Sequence, residues 1–540
     1  MNISNNNDLN VLDLPNEILL KIFNKLPMTD VLYSLLNATQ RFDQLVLDPL
    51  YIRKLDMTSM TMKSFHDPIY SIDDLVLDKI CKNVLPRINH QVHELIVEQH
   101  SMKRVLHTIN YPQLHSLSLV DFQDEVFLEY LTGDATLRTL LSEQITHLKI
   151  DLNDKTPPLP ETLAMIFALI LSLCNQIVAV NFCYFFHRSM ICTFELSSTD
   201  CVSSTLTSLK INVKTFDDCL YLLDGRLNYL LTLFIDVKEI VYTLGAVDNT
   251  KKVPNLKNFS LRSFPRTDFY DDLIIPLLRR MTNLEELILN LSIIRVDSNY
   301  IDGLQLYDDI LIYMPRLNKF IFSIDTSVVE KNIKIALSSN EDIQRSFMRR
   351  EYGPVGSHVD IFSRENGFRG HMYSLPYEFK SRCHIYSLPY QFKNYSYLNN
   401  DFQGGIFDNV QYLMMTDFRP FERNFFKIIS QSFPLLQHLY IFNDEPQKDK
   451  QQSTTSIIFS HLIYLYLDSA HVDYAEQFLS DKQCHLPCLL NLSISYESLA
   501  MVTNSFTNDA TRRTSSKLTS LRLKGPFVTP ENFHLYFPSL

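Results

Sequence analysis

Residues 114–119 read LHSLSL, and the pattern behind them, L-x-x-L-x-L with Ile, Val, Phe or Met replacing some leucines, decides the fold. Its last positions alternate as in a strand with one buried face, so the leucines turn to a core and the x residues away from it. The pattern starts at Val92 (VHELIV), Leu114, Ile145 (ITHLKI), Ile177 (IVAVNF), Leu206 (LTSLKI), Leu230 (LLTLFI), Leu256 (LKNFSL), Leu284 (LEELIL) and Leu317 (LNKFIF). It resumes at Val410 (VQYLMM), Leu436 (LQHLYI), Leu462 (LIYLYL), Leu489 (LLNLSI) and Leu518 (LTSLRL). Successive starts lie 22 to 33 residues apart, except for one interval of 93. Such a period belongs to stacked units, each too small to bury its own apolar face.

The flanks of the pattern are regular as well. A proline stands two residues ahead of it at Pro112, Pro254, Pro315, Pro434 and Pro487, where it stops a helix and sets the chain extended. Acidic pairs open several helical stretches: Ile72-Asp73-Asp74, Phe216-Asp217-Asp218, Tyr270-Asp271-Asp272 and Tyr307-Asp308-Asp309. Free amides at a helix start attract negative charge, so capping explains these aspartates better than metal binding. Acidic start, helix, proline break and short strand in that order resemble the leucine-rich repeat. The resemblance implies an α/β fold over residues 72–540, an irregular solenoid of inner short parallel strands and outer helices. Phe122, Phe264 and Phe418 stand where the family has Asn or Cys, and Asn153 is the orthodox case, so no continuous asparagine ladder is expected.

Residues 12–46, VLDLPNEILLKIFNKLPMTDVLYSLLNATQRFDQLV from Val11 on, do not follow the repeat. Leu14, Ile18, Leu19, Ile22, Phe23 and Leu26 recur at steps of one, three and four, the stripe of an amphipathic helix. Asp13 and Pro15 open that helix and Pro27 stops it. Thr29 or Asp30 is placed to cap a second helix, and a third ends before Pro49. Leu14-Pro15-x-Glu17-Ile18-Leu19-x-x-Ile22-Phe23-x-x-Leu26-x-x-x-Asp30 resembles the F-box. That resemblance implies docking onto the adaptor of an SCF-type cullin–RING ubiquitin ligase through Leu14, Pro15, Ile18, Leu19, Ile22, Phe23 and Leu26. The family's third-helix Cys and Trp are replaced by Ala38 and Phe42, and Phe42 is expected to keep a smaller aromatic plug.

The resulting division is a disordered 1–11, an F-box at 12–50, a linker at 51–71, repeats at 72–340, an irregular insertion at 341–409, and repeats at 410–540. With 46% apolar residues, this 540-residue chain is folded, and its net charge of −11 argues against a nucleic-acid partner held through phosphates. MNISNNNDLN is no secretory signal, and the apolar run LAMIFALILSLC (163–174) is too short to span a bilayer. An intracellular protein, cytoplasmic or nuclear, with reduced thiols is expected. Cys484-His485-x-x-Cys488 has no second ligand pair, and His358-Val-Asp360 and His471-Val-Asp473 are better explained as surface polar residues. No phosphate loop, nucleophile elbow or metal motif appears, so no catalytic residue, cofactor or metal is assigned.

In the insertion, HMYSLPYEFK (371–380) is repeated as HIYSLPYQFK (384–393), read as a duplication in a tolerant loop. In the last repeats the positions facing away from the core include Tyr412, His438, Tyr440, Tyr464 and Tyr466, side chains suited to gripping a protein substrate. Phe537-Pro538-Ser539-Leu540 reads as the opening of a further repeat that leaves an apolar edge. Two functions follow: a substrate receptor of a ubiquitin ligase, or a leucine-rich-repeat scaffold whose N-terminal helices only cap the array.

Overall fold

The computed structural model describes residues 11–58, 61–64, 67–69, 71–153, 160–182, 202–242, 252–348, 352–361, 379, 381–449, 456–527, 529–530 and 532–540. The chain forms two compact units. The first takes in Met1–Thr61, Ile69–Leu287 and Tyr313–Asn318, the second Met62–Pro68, Ile288–Ile312 and Lys319–Leu540.

In the first unit the strands Lys54–Met57, Glu94–Glu98, Ser116–Phe122, His147–Leu152, Ala179–Phe182, Ser208–Thr215, Thr232–Glu239 and Asn258–Thr267 pair in parallel, in chain order. Their register follows from the repeat. Leu55, Leu95, Leu117, Leu148, Val180, Leu209, Leu233 and Phe259 align across the sheet, and all are buried. A shift of one residue would turn that whole row to the opposite face. Parallel neighbours need crossovers, and helices such as Asp74–Asn83, Gln99–Thr108, Asp124–Gly133 and Phe216–Leu222 supply them. The apolar run 163–174 lies mostly in helix Pro160–Leu173, which buries Ile166, Phe167 and Ile170. Among the described residues no helix is long and apolar enough to cross a membrane.

Two of the acidic pairs cap as expected. Asp73 accepts from the amides of Leu75 and Val76, and Thr215 with Asp218 forms a capping box. The other two do not. Tyr270–Ile274 is a wide π turn without a side-chain cap. Asp308 and Asp309 end helix Gly303–Asp309, whose start is capped by Asp302. Asp271 and Asp272 nonetheless stand in the first turn of the helical stretch that Tyr270 opens, as expected; only the Tyr307 pair is misplaced, because charge alone does not say at which end of a helix it stands.

The second unit has a parallel sheet of its own, with strands Asn394–Leu398, Tyr412–Thr416, His438–Asn443, Tyr464–Ala470, Asn491–Ser495 and Ser520–Lys524. Leu413, Leu439, Leu465, Leu492 and Leu521 align in register. The stretch 341–409, expected as an irregular insertion, instead holds regular antiparallel strands. Ser381–Ser387 pairs antiparallel with both Lys319–Val329 and Val355–Ile361.

The second copy of the duplication starts in that middle strand, so it is not loop. Every residue of Ser381–Ser387 is buried, and Tyr390 and Phe392 join the core with Tyr395, Phe402, Phe407 and Phe433. A strand buried on both faces shows no alternation, which is why it escaped a period-two reading. The first copy lies outside the described residues, save for Phe379, which is buried. Phe537, read as the opening of a further repeat, is fully buried against Phe506 and Phe533, at ring separations of 5.9 and 4.9 Å.

Candidate functional site

Two surfaces carry the residues singled out from the sequence. The first is N-terminal. Helix α1 (Asn16–Phe23) begins directly after Pro15, and α2 (Met28–Ser34) directly after Pro27. Neither has a side-chain cap, so Thr29 and Asp30 do not cap; Thr29 sits buried in the first turn of α2. Helix α3 (Gln40–Val46) is capped by Thr39, which accepts from the Phe42 amide at 3.1 Å. Phe42 is the expected plug, edge-on to Phe23 at 5.7 Å. From α3, Arg41 Nη2 donates to the Leu14 carbonyl (2.6 Å) and Nη1 to that of Leu12, tying the lead-in of α1 to the bundle. The helices lean on Asp74–Asn83, where Lys79 Nζ lies 4.1 Å from the Tyr33 ring centre.

This packing splits the expected docking residues. Leu19 and Phe23 are buried and belong to the bundle's core, so they cannot touch a partner. Helical spacing identifies an apolar face but not which part of it neighbouring helices cover. Leu14 is half-buried. Pro15 faces solvent, as do Ile18, Ile22 and Leu26 at 39, 40 and 48% exposure.

The second surface is the coreless face of the parallel sheet in the second unit. Because strand neighbours are in register, Tyr412, His438 and Tyr464 form one row, and Met414, Tyr440 and Tyr466 the next. The five residues named from the sequence come together there. His438 stacks on Tyr412 with ring centres 4.4 Å apart and planes 5° from parallel. Tyr440 lies 5.5 Å from Tyr464 and 5.6 Å from Tyr466, and Phe442 lies 5.3 Å from Tyr466. His438 is fully buried and Tyr464 nearly so, and both support the wall from within it. Tyr412, Tyr440 and Tyr466 remain part-exposed, joined by Met414 and Phe442. Sequence reading missed those two, although Met414 occupies the same position of its motif as Tyr440.

Burial raises the phenol pKa of all four tyrosines, Tyr466 to about 12 with further help from the Asp468 charge. Their hydroxyls therefore stay neutral and present polar tips on broad apolar rings. Asp468 accepts from Ser493 at 2.8 Å. At the end of the Met414–Tyr440–Tyr466–Ser493 row stands exposed Arg522. The wall offers ring faces, hydroxyls and a guanidinium, a set suited to holding a protein segment.

The remaining sequence candidates resolve locally. Cys484 is buried, and burial pushes its thiol up to about 12, whereas Cys488 is exposed. His471 caps helix Val472–Leu479 by accepting from the Asp473 amide. Cys174, Cys183, Cys192 and Cys201 fall nine residues apart, a spacing that matches no metal-ligand pattern; Cys174 is a buried free thiol, and the other three lie outside the described residues.

No protein-family model matches this sequence, and no curated protein matches it. Among solved structures it is similar to the leucine-rich repeat-containing protein LegL7 from Legionella pneumophila, with 14% identity and a TM-score of 0.27, covering 51% of this chain and 85% of that one.

Proposed function

We propose that this chain is a non-catalytic protein-binding adaptor whose second unit grips a partner through Tyr412, Tyr440 and Tyr466. In the finer form of this reading, the partner is a substrate for ubiquitin transfer, and the N-terminal helices dock the adaptor of an SCF-type cullin–RING ligase. The observation that carries the binding role is the row-by-row alignment of part-exposed rings on adjacent strands. Rigid aromatic area with polar tips costs little conformational entropy to immobilise, which is why such rings dominate interface energetics. The docking role is supported by Pro15, Ile18, Ile22 and Leu26, an apolar strip that the helices' own core leaves uncovered. Neither a nucleic acid nor a membrane is needed by this reading, and an intracellular site suits it.

The test of the docking role mixes the purified chain with purified ligase adaptor. Ile18→Glu with Ile22→Glu places two charges on the strip while leaving Leu19 and Phe23 intact. Saturable binding that this variant loses supports the receptor; absence of binding by the unaltered chain leaves a repeat scaffold without ligase association.

A further inference from the structure

His358-Val-Asp360, expected among the surface polar residues, is placed quite differently by the fold. Asp360 is buried, and as alternate residues of one strand His358 and Asp360 share a face. Asn399 and Asp401 approach them from just beyond the strand Asn394–Leu398. His358 Nε2 lies 2.8 Å from Asp360 Oδ1 and 2.9 Å from Asn399 Oδ1. The Asn399 amide cannot be turned round, because its Oδ1 accepts from the Asp401 backbone N–H at 3.1 Å and its Nδ2 donates to Asp360. One imidazole nitrogen thus faces two oxygen lone pairs with at most one proton to share. Ligand atoms of His358, Asp360 and Asp401 all lie within 4.8 Å of one another.

Three features favour a cation in this cluster over hydrogen bonds alone. The first is that surplus of acceptors. The second is spacing: neighbouring ligands about 2.1 Å from an ion at right angles lie about 3 Å apart, close to the 2.8 and 2.9 Å from His358 Nε2 to Asp360 and Asn399, with Asp401 within 4.8 Å. The third is charge. Arg382 pairs with Asp325 and, at 3.8 Å, with Asp360 Oδ2. Arg419 pairs with Asp401 Oδ1 at 2.6 Å and Asp417 at 3.5 Å. Four carboxylates thus share two guanidiniums, and buried Asp325 keeps one oxygen without a hydrogen-bond partner among the described residues. Each guanidinium pairs with one oxygen of a ligating carboxylate and leaves the other without a guanidinium, the outer support that metal ligands ordinarily have.

We propose that the second unit binds one divalent first-row transition-metal ion through His358 Nε2, Asp360 Oδ1, Asn399 Oδ1 and the Asp401 carboxylate. An imidazole among oxygen ligands suits Mn²⁺ or Zn²⁺ better than Ca²⁺ or Mg²⁺, which take oxygen alone. The ion fastens the strand Val355–Ile361 to the turn after Asn394–Leu398. This proposal does not depend on the ligase reading.

The test uses the purified full chain, stripped of metal and titrated with MnCl₂ while free Mn²⁺ is followed by electron paramagnetic resonance. One saturable site is expected, displaced by Zn²⁺ and weakened at least about tenfold by His358→Ala and by Asp401→Asn. Asp401 is exposed, so Asp401→Asn keeps the fold, checked by circular dichroism, and decides alone should His358→Ala unfold. Lack of saturation up to millimolar Mn²⁺, or a single site that Asp401→Asn leaves unchanged, overturns the assignment.

Discussion

The two units build the same kind of strand face and furnish it in opposite ways. In the first, the row facing away from the core runs Ile96, Ser118, Lys149, Asn181, Lys210, Phe234 and Ser260, with both lysines exposed. In the second, the matching row runs Met414, Tyr440, Tyr466, Ser493 and Arg522. The leucines behind both faces are interchangeable, so the core cannot have dictated the difference. In the first row the one ring, part-buried Phe234, already has Lys210 over its face, whereas the second sets part-buried Tyr440 and Tyr466 side by side, and such rings gain by being covered. Under the proposed function, the contrast favours the second face over the first as the one that holds a partner. Charge is handled differently too. Arg262 pairs with Asp236 at 2.7 Å with a third of the arginine side chain open to water, while Arg382 is almost fully enclosed with Asp325.

The largest effect is expected from that last difference. Arg382→Met strands buried Asp325 and Asp360 and is predicted to cost about 3–5 kcal/mol. Arg262→Met, where water reaches the guanidinium although its partner Asp236 is buried, is predicted to cost less, about 2 kcal/mol. Chemical denaturation of the two variants measures both, and equal losses would erase the distinction. Next in size, Tyr440→Ala with Tyr466→Ala is expected to lower partner affinity by about 2 kcal/mol or more, roughly thirtyfold. Lys149→Ala with Lys210→Ala should change it by less than about twofold, since exposed charges at the edge of an interaction contribute little.

A third prediction concerns alkali. The wall tyrosines have folded pKa values above the unfolded value of about 10. Their contribution to stability is complete below pH ~10 and is lost as pH rises through the folded values, because the unfolded chain ionises first. Denaturation midpoints should fall more steeply above pH ~10 in the unaltered chain than in Tyr440→Phe with Tyr466→Phe. The smallest effect belongs to the first unit. Lys210 Nζ sits 4.8 Å from the Phe234 ring centre, and Lys210→Ala should cost no more than about 1 kcal/mol in thermal denaturation.

How far the sequence alone reaches can be judged residue by residue. Leu117, Leu209 and Leu465 announced their strands because alternation with a fixed period is local information. The same logic put Tyr412, Tyr440 and Tyr466 on one face before any contact was known. Leu19, Phe23, His438 and Tyr464 were misjudged as accessible, because cover comes from neighbours tens of residues away, which no periodicity encodes. Arg382, His384 and Tyr386 went unread for a related cause: both faces of their strand are covered, one of them by polar groups that sequence reading treats as surface. The pairing of His358-x-Asp360 with Asn399-x-Asp401 had only a faint signal, two short polar pairs with Asn399 standing 39 positions after Asp360.

The central claim is that the aromatic face, and not the lysine-bearing one, holds the partner. Quantitative affinity capture with the full chain, comparing Tyr440→Ala/Tyr466→Ala with Lys149→Ala/Lys210→Ala after both are shown to be folded, tests it most directly. The account predicts that partners retained by the unaltered chain are lost from the tyrosine variant and kept by the lysine variant. Retention by the tyrosine variant, or loss from the lysine variant alone, would contradict it.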